Sequence, residues 1–405
     1  MNKSVVVKEL SQELMDDRPF EVVERKGIGH PDTIADSVMD AIAVKLGKEY
    51  IRKTGHILHY NLDKSLLVAG ETSPAFGGGR VKRPMLFIFG DRATFSFNGI
   101  EFDIPSIATN TAKEWIFKNL RFVDAEKHVR YQVEIGRSAT NLSDIFKRGK
   151  DFLGANDTSA AVGYAPESRL ERLVYEFERH INSSEFKSEF PETGEDVKVM
   201  GVRTNNELTL TLAVAFVDKF IKNEDDYFRI KDELHETLME YLRREYEFDH
   251  IELHVNTLDE RGRGVDGVYL TTLGTSAESG DSGQVGRGNR VNGVIALNRP
   301  AGSEAAAGKN PTSHVGKIYN TLAFKLARRI VEEVDAVKEA YVWLVSQIGT
   351  PINEPSMVAA YIIPDRTSEF STISKKVKEV IEEGFSKDHL KALLDDLVEG
   401  RLSLC

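Results

Sequence analysis

The stretch Glu24–Asp40, ERKGIGHPDTIADSVMD, decides how the rest of the chain is read. Gly27 and Gly29 bring the backbone to a turn, and His30 and Pro31 follow. Proline suits a first helical position, where its missing N–H has no partner to lose. Downstream, Ile34, Val38, Ala41, Ile42 and Leu46 recur at helical spacing. Asp32, Asp36 and Asp40 share one face of that helix. The predicted picture is a helix start carrying a histidine and a carboxylate stripe behind a glycine turn. Such an end attracts anions through its free N–H groups and its dipole. Carboxylates beside it suit a hard metal such as Mg²⁺ carrying a polyphosphate. The same residues also make an ordinary helix start, with aspartate against the dipole and histidine as a cap.

Composition narrows the class. The chain has 405 residues, 41% hydrophobic and 29% charged, which is globular and enough for two or three domains. Its net charge is −11, and no Lys/Arg block is present, so nucleic acid is not the expected partner. The only cysteine is Cys405, which argues against disulfides, zinc clusters and a thiol nucleophile and fits a reducing cytoplasm. No apolar run approaches the roughly 18 residues of a membrane span. The opening MNKSVVVKELSQELMDD reads as too polar for a signal peptide.

Outward from the central stretch, short strands are predicted over His56–Tyr60 and Ser65–Ala69, with Asp63 in their connection as a metal ligand or a turn residue. Pro84–Phe89 and Val129–Ile135 read as strands, and Ile107–Leu120 as a helix. Ser138, Thr140 and Asn141 then offer hydroxyl and amide groups to a nucleotide or cap the next helix. Gly154–Pro166, GANDTSAAVGYAP, holds Asn156 and one charged residue, Asp157. Its small residues allow close backbone approach to a ligand; a plain turn is the alternative. Pro191–Asp196 reads as an exposed turn, and Val197–Arg203 with Glu207–Val217 as paired strands, Lys198 lying in the first. Helices are predicted over Ser168–Ser183, Glu224–Phe248, Val315–Val334, Thr372–Glu383 and Lys387–Glu399, and strands over Glu339–Gln347 and Met357–Ile363. The order lacks regular βαβ alternation, so the expected class is α+β.

Gly280–Lys317 is the second informative region. Arg287, Arg290, Arg299, Lys309 and Lys317 stand among its glycines, with Asp281 near its start. Backbone N–H groups beside Arg and Lys are what a polyphosphate needs. A P-loop does not fit: five residues separate Gly302 from Gly308, and Asn310 stands where a metal-binding Ser/Thr belongs. Without a thiol or a legible Ser/His/Asp set, the residues point to a nucleoside polyphosphate held with Mg²⁺. They do not choose between phosphoryl transfer and attack elsewhere on ATP.

GIGHPDTIAD, GANDTSAAVGYAP, DVKVMGVR, GDSGQVGRGNRVNGVIALNRPAGSEAAAGKNP and SHVGKIYN, in this order, resemble the S-adenosylmethionine synthetase (methionine adenosyltransferase) family, in its archaeal branch. The resemblance implies formation of S-adenosylmethionine from ATP and L-methionine. The thioether sulfur attacks C5′, and triphosphate leaves and is hydrolysed to pyrophosphate and phosphate. It implies His30 at the bridging oxygen, Asp32 on Mg²⁺, Arg287 and Lys309 on the polyphosphate, and Lys198 near the ribose and α-phosphate. Asp157 falls to the adenosine/methionine site and Asp281 to the methionine ammonium. Bacterial and eukaryotic members carry Lys where Gly288 stands, and Asp where Asn310 stands. Ser313, His314 and Gly316 occupy the region of a further lysine and a second metal-binding aspartate. His314 is therefore the expected substitute cation, with Asp36 and Asp63 candidates for the second Mg²⁺ ligand. K⁺ is a family companion ion that the motifs do not place. The implied assembly is a homodimer or dimer of dimers with interface active sites, without membrane or nucleic acid. The implied fold has three pseudo-symmetric, interleaved sub-domains. They are 1–25 with about 165–275, about 26–135 with 276–316, and about 136–164 with 317–405.

Overall fold

Buried apolar side chains in the computed structural model gather into three separate cores, each drawn from segments far apart in the chain. The structure describes residues 5–138, 152–365 and 369–404. Eight α-helices lie among them: α1 (Pro31–Thr54), α2 (Ile104–Asn119), α3 (Arg169–Ile181), α4 (Ser184–Glu189), α5 (Glu224–Glu245), α6 (Val315–Glu333), α7 (Phe370–Gly384) and α8 (Lys387–Glu399). None of the described helices is long and apolar enough to cross a membrane.

The first core packs α1 and α2 on a sheet ordered Val129–Val133, Met85–Phe89, Leu66–Val68, Gly283–Gln284. The apolar stripe of α1 (Ile34, Val38, Ile42 and Leu46) is buried, as its spacing predicts. Gly55 closes α1 at φ 82°, a left-handed conformation that glycine adopts without strain. The second core lies between α3, α5 and a large sheet ordered His250–Val255, Glu207–Val217, Thr193–Thr204, Phe20–Lys26, Ile295–Ala296. Its central hairpin turns at Asn205, φ 53°, as an Asn–Asn connection favours. The third core sets α6, α7 and α8 against Val6–Glu9, Met357–Pro364, Val337–Val345 and Ala160–Ala165. The architecture is α+β, with parallel and antiparallel pairs in the same sheets.

Two expectations are corrected. Val6–Glu9 runs parallel to Met357–Pro364 and fills the third core, not the one holding α3 and α5. Pro191–Asp196 is not an exposed turn: the strand Thr193–Thr204 starts inside it, and Thr193, Glu195 and Asp196 are buried. Gly194 explains the burial, because its missing side chain lets the backbone of Gly274 close in; a Cβ there would lie 2.4 Å from that carbonyl oxygen.

Candidate active site

Strand Phe20–Lys26 ends where α1 begins, and two glycines make the junction. The N–H of Gly27 reaches the Val197 carbonyl at 2.7 Å, and that of Gly29 the Glu195 carbonyl at 2.9 Å. A Cβ on Gly29 would lie 2.4 Å from the Asp196 nitrogen, so only hydrogen fits. His30 caps α1, its Nδ1 accepting the Asp32 N–H at 3.2 Å. Burial pushes the imidazole down to about 4; Lys26 and Lys198 add to the fall and Asp32 opposes it. At neutral pH the ring is therefore uncharged. Because Nδ1 accepts, the single proton belongs on Nε2, which makes that atom a donor.

Cations surround this donor. The Lys26 ammonium lies 2.9 Å from Asp32 Oδ2 and donates to the Arg287 carbonyl at 2.8 Å. Lys198, half-exposed, lies 3.5 Å from Glu24 Oε1, which Lys26 also approaches at 3.7 Å. The Arg287 side chain is exposed. Asp281 is exposed too, its Oδ1 accepting the Ser282 N–H at 2.8 Å. Asp281 and Lys198 both act on the buried Asp196, which burial pushes up to about 6. The structure thus brings His30, Asp32, Lys198 and the Arg287 backbone into one group. Lys26 links them, a residue to which the sequence reading gave no role. Its only signal was a cation beside the glycine turn.

The carboxylate stripe of α1 meets groups far along the chain. Asp32 Oδ1 accepts the Gln284 N–H at 2.9 Å, Asp36 Oδ1 accepts the Gly286 N–H at 2.7 Å, and Asp40 Oδ1 meets Lys317 Nζ at 2.6 Å. The stripe fastens the glycine-rich segment and α6 to α1. Asp36 is buried, its carboxyl pushed up to about 7 by burial against backbone hydrogen bonds from Gly286 and Gly288. In this structure it clamps the loop. Among the described residues no three His, Cys, Asp or Glu groups converge on a metal position. One carboxylate plus phosphate oxygens is nevertheless a sufficient donor set for Mg²⁺, and Asp32 at the helix start fits it.

A second group lies at the start of α6. Lys309, 1% exposed, pairs with Glu304 and lies 3.3 Å from Asp63 Oδ2. Asp63 Oδ1 accepts from Asn61 at 2.8 Å and from Lys64 at 2.7 Å. Against the upward push of burial, Lys64 and Lys309 hold the Asp63 carboxyl down to about 2. Burial and Asp63 push neighbouring Asp91 up to about 7. Asp63 thus holds the ammonium groups of Lys64 and Lys309. His314 caps α6, its Nδ1 accepting the Gly316 N–H at 3.2 Å. Burial pushes it down to about 3, with Lys309 adding to the fall. Asn310 donates to the Leu58 carbonyl at 3.0 Å and caps the turn at Thr312.

The remaining candidates lie elsewhere. Asn156 donates its N–H to the Ser313 carbonyl at 3.1 Å, and the Asp157 carbonyl accepts from Ser346 Oγ at 2.8 Å, its side chain exposed. Ser138 Oγ meets His59 Nδ1 at 2.8 Å. Thr140 and Asn141 lie outside the described residues. Glu304 and Asp91 had no assigned role; the one signal for Glu304 is that it alone is charged between Arg299 and Lys309.

The model of the S-adenosylmethionine synthetase family matches residues 3–401. The chain belongs to the S-adenosylmethionine synthetase family. It is 42% identical to the S-adenosylmethionine synthase of Hyperthermus butylicus, over 100% of both chains. It is 43% identical to that of Archaeoglobus fulgidus, over 98% of this chain and 99% of the relative. With the Methanocaldococcus jannaschii synthase it shares 42% over 99% of each. A solved structure, described as that of an unusual S-adenosylmethionine synthetase from Campylobacter jejuni, superposes with a TM-score of 0.59. It does so at 16% identity over 96% of this chain and 95% of that one, a likeness of fold. The family activity is an adenosyl transfer, so the chain is a transferase. The family frame also gives Gly288 a physical reason. A Cβ there would lie 2.3 Å from Asp36 Oδ2, so the clamp on the loop excludes any side chain while Asp36 stays in place.

Proposed function

We propose that this methionine adenosyltransferase carries out its chemistry at the start of α1. The sulfur of L-methionine attacks C5′ of ATP, the C5′–O bond breaks, and its electron pair leaves with the whole triphosphate. A thioether carries no proton, so no base is needed. The barrier lies in the charge that gathers on the departing oxygen. The observation that carries this reading is the cap of His30: Nδ1 is engaged by the Asp32 N–H, so neutral Nε2–H is the donor for that oxygen. Arg287 and Lys198 supply positive charge along the phosphates, and Lys309 supplies it further on. Asp32 would hold Mg²⁺, which when bound neutralises phosphate charge. The same cations then hold the triphosphate for hydrolysis to pyrophosphate and phosphate. Asn156 and Asp157 contact Ser313 and Ser346 rather than the α1 group. That separation supports a homodimer or dimer of dimers in which one copy's loop completes the other's site.

The test is incubation of the pure protein with ATP, L-methionine and Mg²⁺. The expected products are a sulfonium compound, pyrophosphate and phosphate in equal amounts. ADP as the sole nucleotide product would mean a phosphotransferase instead.

A further inference from the structure

Lys309 is an odd residue to find as a polyphosphate ligand. Its ammonium is buried and already carries two carboxylates, those of Glu304 and Asp63. The two are not equivalent. Asp63 is 6% exposed at its side chain and is fixed on its other oxygen by Asn61 and Lys64, so it is a permanent partner. Glu304 is 28% exposed at its side chain, and Lys309 is the cation its carboxylate holds. It lies in a segment with no helix or strand, between Gly302 and Gly308. Its backbone is pinned separately, the carbonyl accepting from Asn320 at 3.1 Å, so the carboxylate can swing away without moving the chain.

The place it occupies is shaped for an anion. A Cβ on Gly316 would lie 2.9 Å from Lys309 Nζ and 3.0 Å from Glu304 Oε2. The ion pair therefore rests directly on the first turn of α6, where bare backbone favours negative charge. His314 beside it is held neutral and supplies no competing charge.

We infer that Glu304 is an internal stand-in for a phosphate group, occupying the Lys309 ammonium until the polyphosphate displaces it. The inference rests on the phosphate reading of Lys309 given above. Its consequence is a trade: the carboxylate weakens hold on the polyphosphate and, by returning to Lys309, helps expel the product phosphates. Glu304 is in this sense an affinity-setting residue, not a catalytic one.

The experiment is a titration of the full-length protein with tripolyphosphate and Mg²⁺ by calorimetry, for wild type, Glu304→Gln and Glu304→Ala. Asp63 remains to pair Lys309 in both variants, so the fold is kept. Removing the competing charge should tighten tripolyphosphate about tenfold in both. The KM for ATP should fall with it, kcat should fall through slower product release, and the KM for methionine should not move. A merely structural role for Glu304 would weaken phosphate and methionine together. Unchanged or weaker tripolyphosphate binding in both variants, with wild type binding normally, overturns the role of Glu304 alone. No binding to any of the three proteins overturns the phosphate reading of Lys309 and this inference with it.

Discussion

Two helices in this molecule begin in the same way and end up with different work. His30 caps α1 and His314 caps α6, each taking the N–H two residues on at 3.2 Å through Nδ1. Burial holds both rings neutral. What differs is the charge around them. Beside His30, Lys26 shares itself between Asp32, Glu24 and a carbonyl, while Lys198 and Arg287 stay accessible. Beside His314, Lys309 is sealed under Asp63 and Glu304. A shared cap fixes a ring and its tautomer; the neighbours decide whether the end waits for a ligand or is filled from within.

Removing the histidine from the open end should have the largest effect. His30→Ala takes away one donor aimed at developing charge, and kcat should fall roughly 10²–10³-fold with the fold intact. Steady-state assay with circular dichroism as a folding control checks it, and retained turnover would remove His30 from the reaction. Lys309→Ala should lower kcat comparably. It should also lower the unfolding midpoint, because Asp63 and Glu304 lose a common partner inside the protein. A smaller change is expected from Asp32→Asn, which should shift the Mg²⁺ titration of activity to higher concentration.

The open end was also the better-read one. The glycine turn, the Pro31 start and the apolar stripe of α1 are local signals, and the helix follows them to within a turn. The pairings of its aspartates were not legible, because their partners are far along the chain: Gly286 lies 250 residues from Asp36, and Lys317 lies 277 from Asp40. Periodicity gives the face a side chain shares, not what is packed against it. Pro191–Asp196 failed for a related reason. Its composition is that of a surface turn, and its burial depends on the close approach of Gly274 from another segment. The motif order sufficed for the family, since it needs no knowledge of contacts. Lys26 and Glu304 escaped because a lone charge in a loop has meaning only through its neighbours.

Glycine substitutions sharpen the contrast between the two ends. At the open end, a Cβ on Gly283 would lie 2.0 Å from the Pro31 carbonyl oxygen, a backbone atom that cannot rotate away. Gly283→Ala should therefore cost about 3 kcal/mol of stability, the upper end of ordinary overpacking, and detach the loop that carries Arg287. At the filled end, a Cβ on Gly316 meets only side-chain ends, those of Lys309, Glu304 and His314 at 2.9, 3.0 and 3.2 Å, and no backbone atom. Gly316→Ala should cost about 1 kcal/mol or less. Chemical denaturation of the two variants measures the difference; equal losses would mean that the ends are packed alike.

Acid separates them least, since burial holds both rings below their usual range, and the filled end is where the effect can be tested without removing the His30 donor. An unfolded histidine takes up its proton near 6.5, while folded His314 resists until about 3. Between those values the unfolded chain binds more protons, so stability falls as pH falls. From pH 6.5 to pH 5 the loss from this one ring is about 2 kcal/mol, at 1.36 kcal/mol per pKa unit. His314→Asn should keep a cap on α6, since asparagine accepts the same N–H, while removing the titration. The variant's unfolding midpoint should thus decline less steeply than that of wild type over this range, so the gap between the two curves changes in the variant's favour by about 2 kcal/mol at pH 5. Parallel curves would show that the ring is charged in the folded protein, and the α6 end would then be as open to a phosphate as the α1 end.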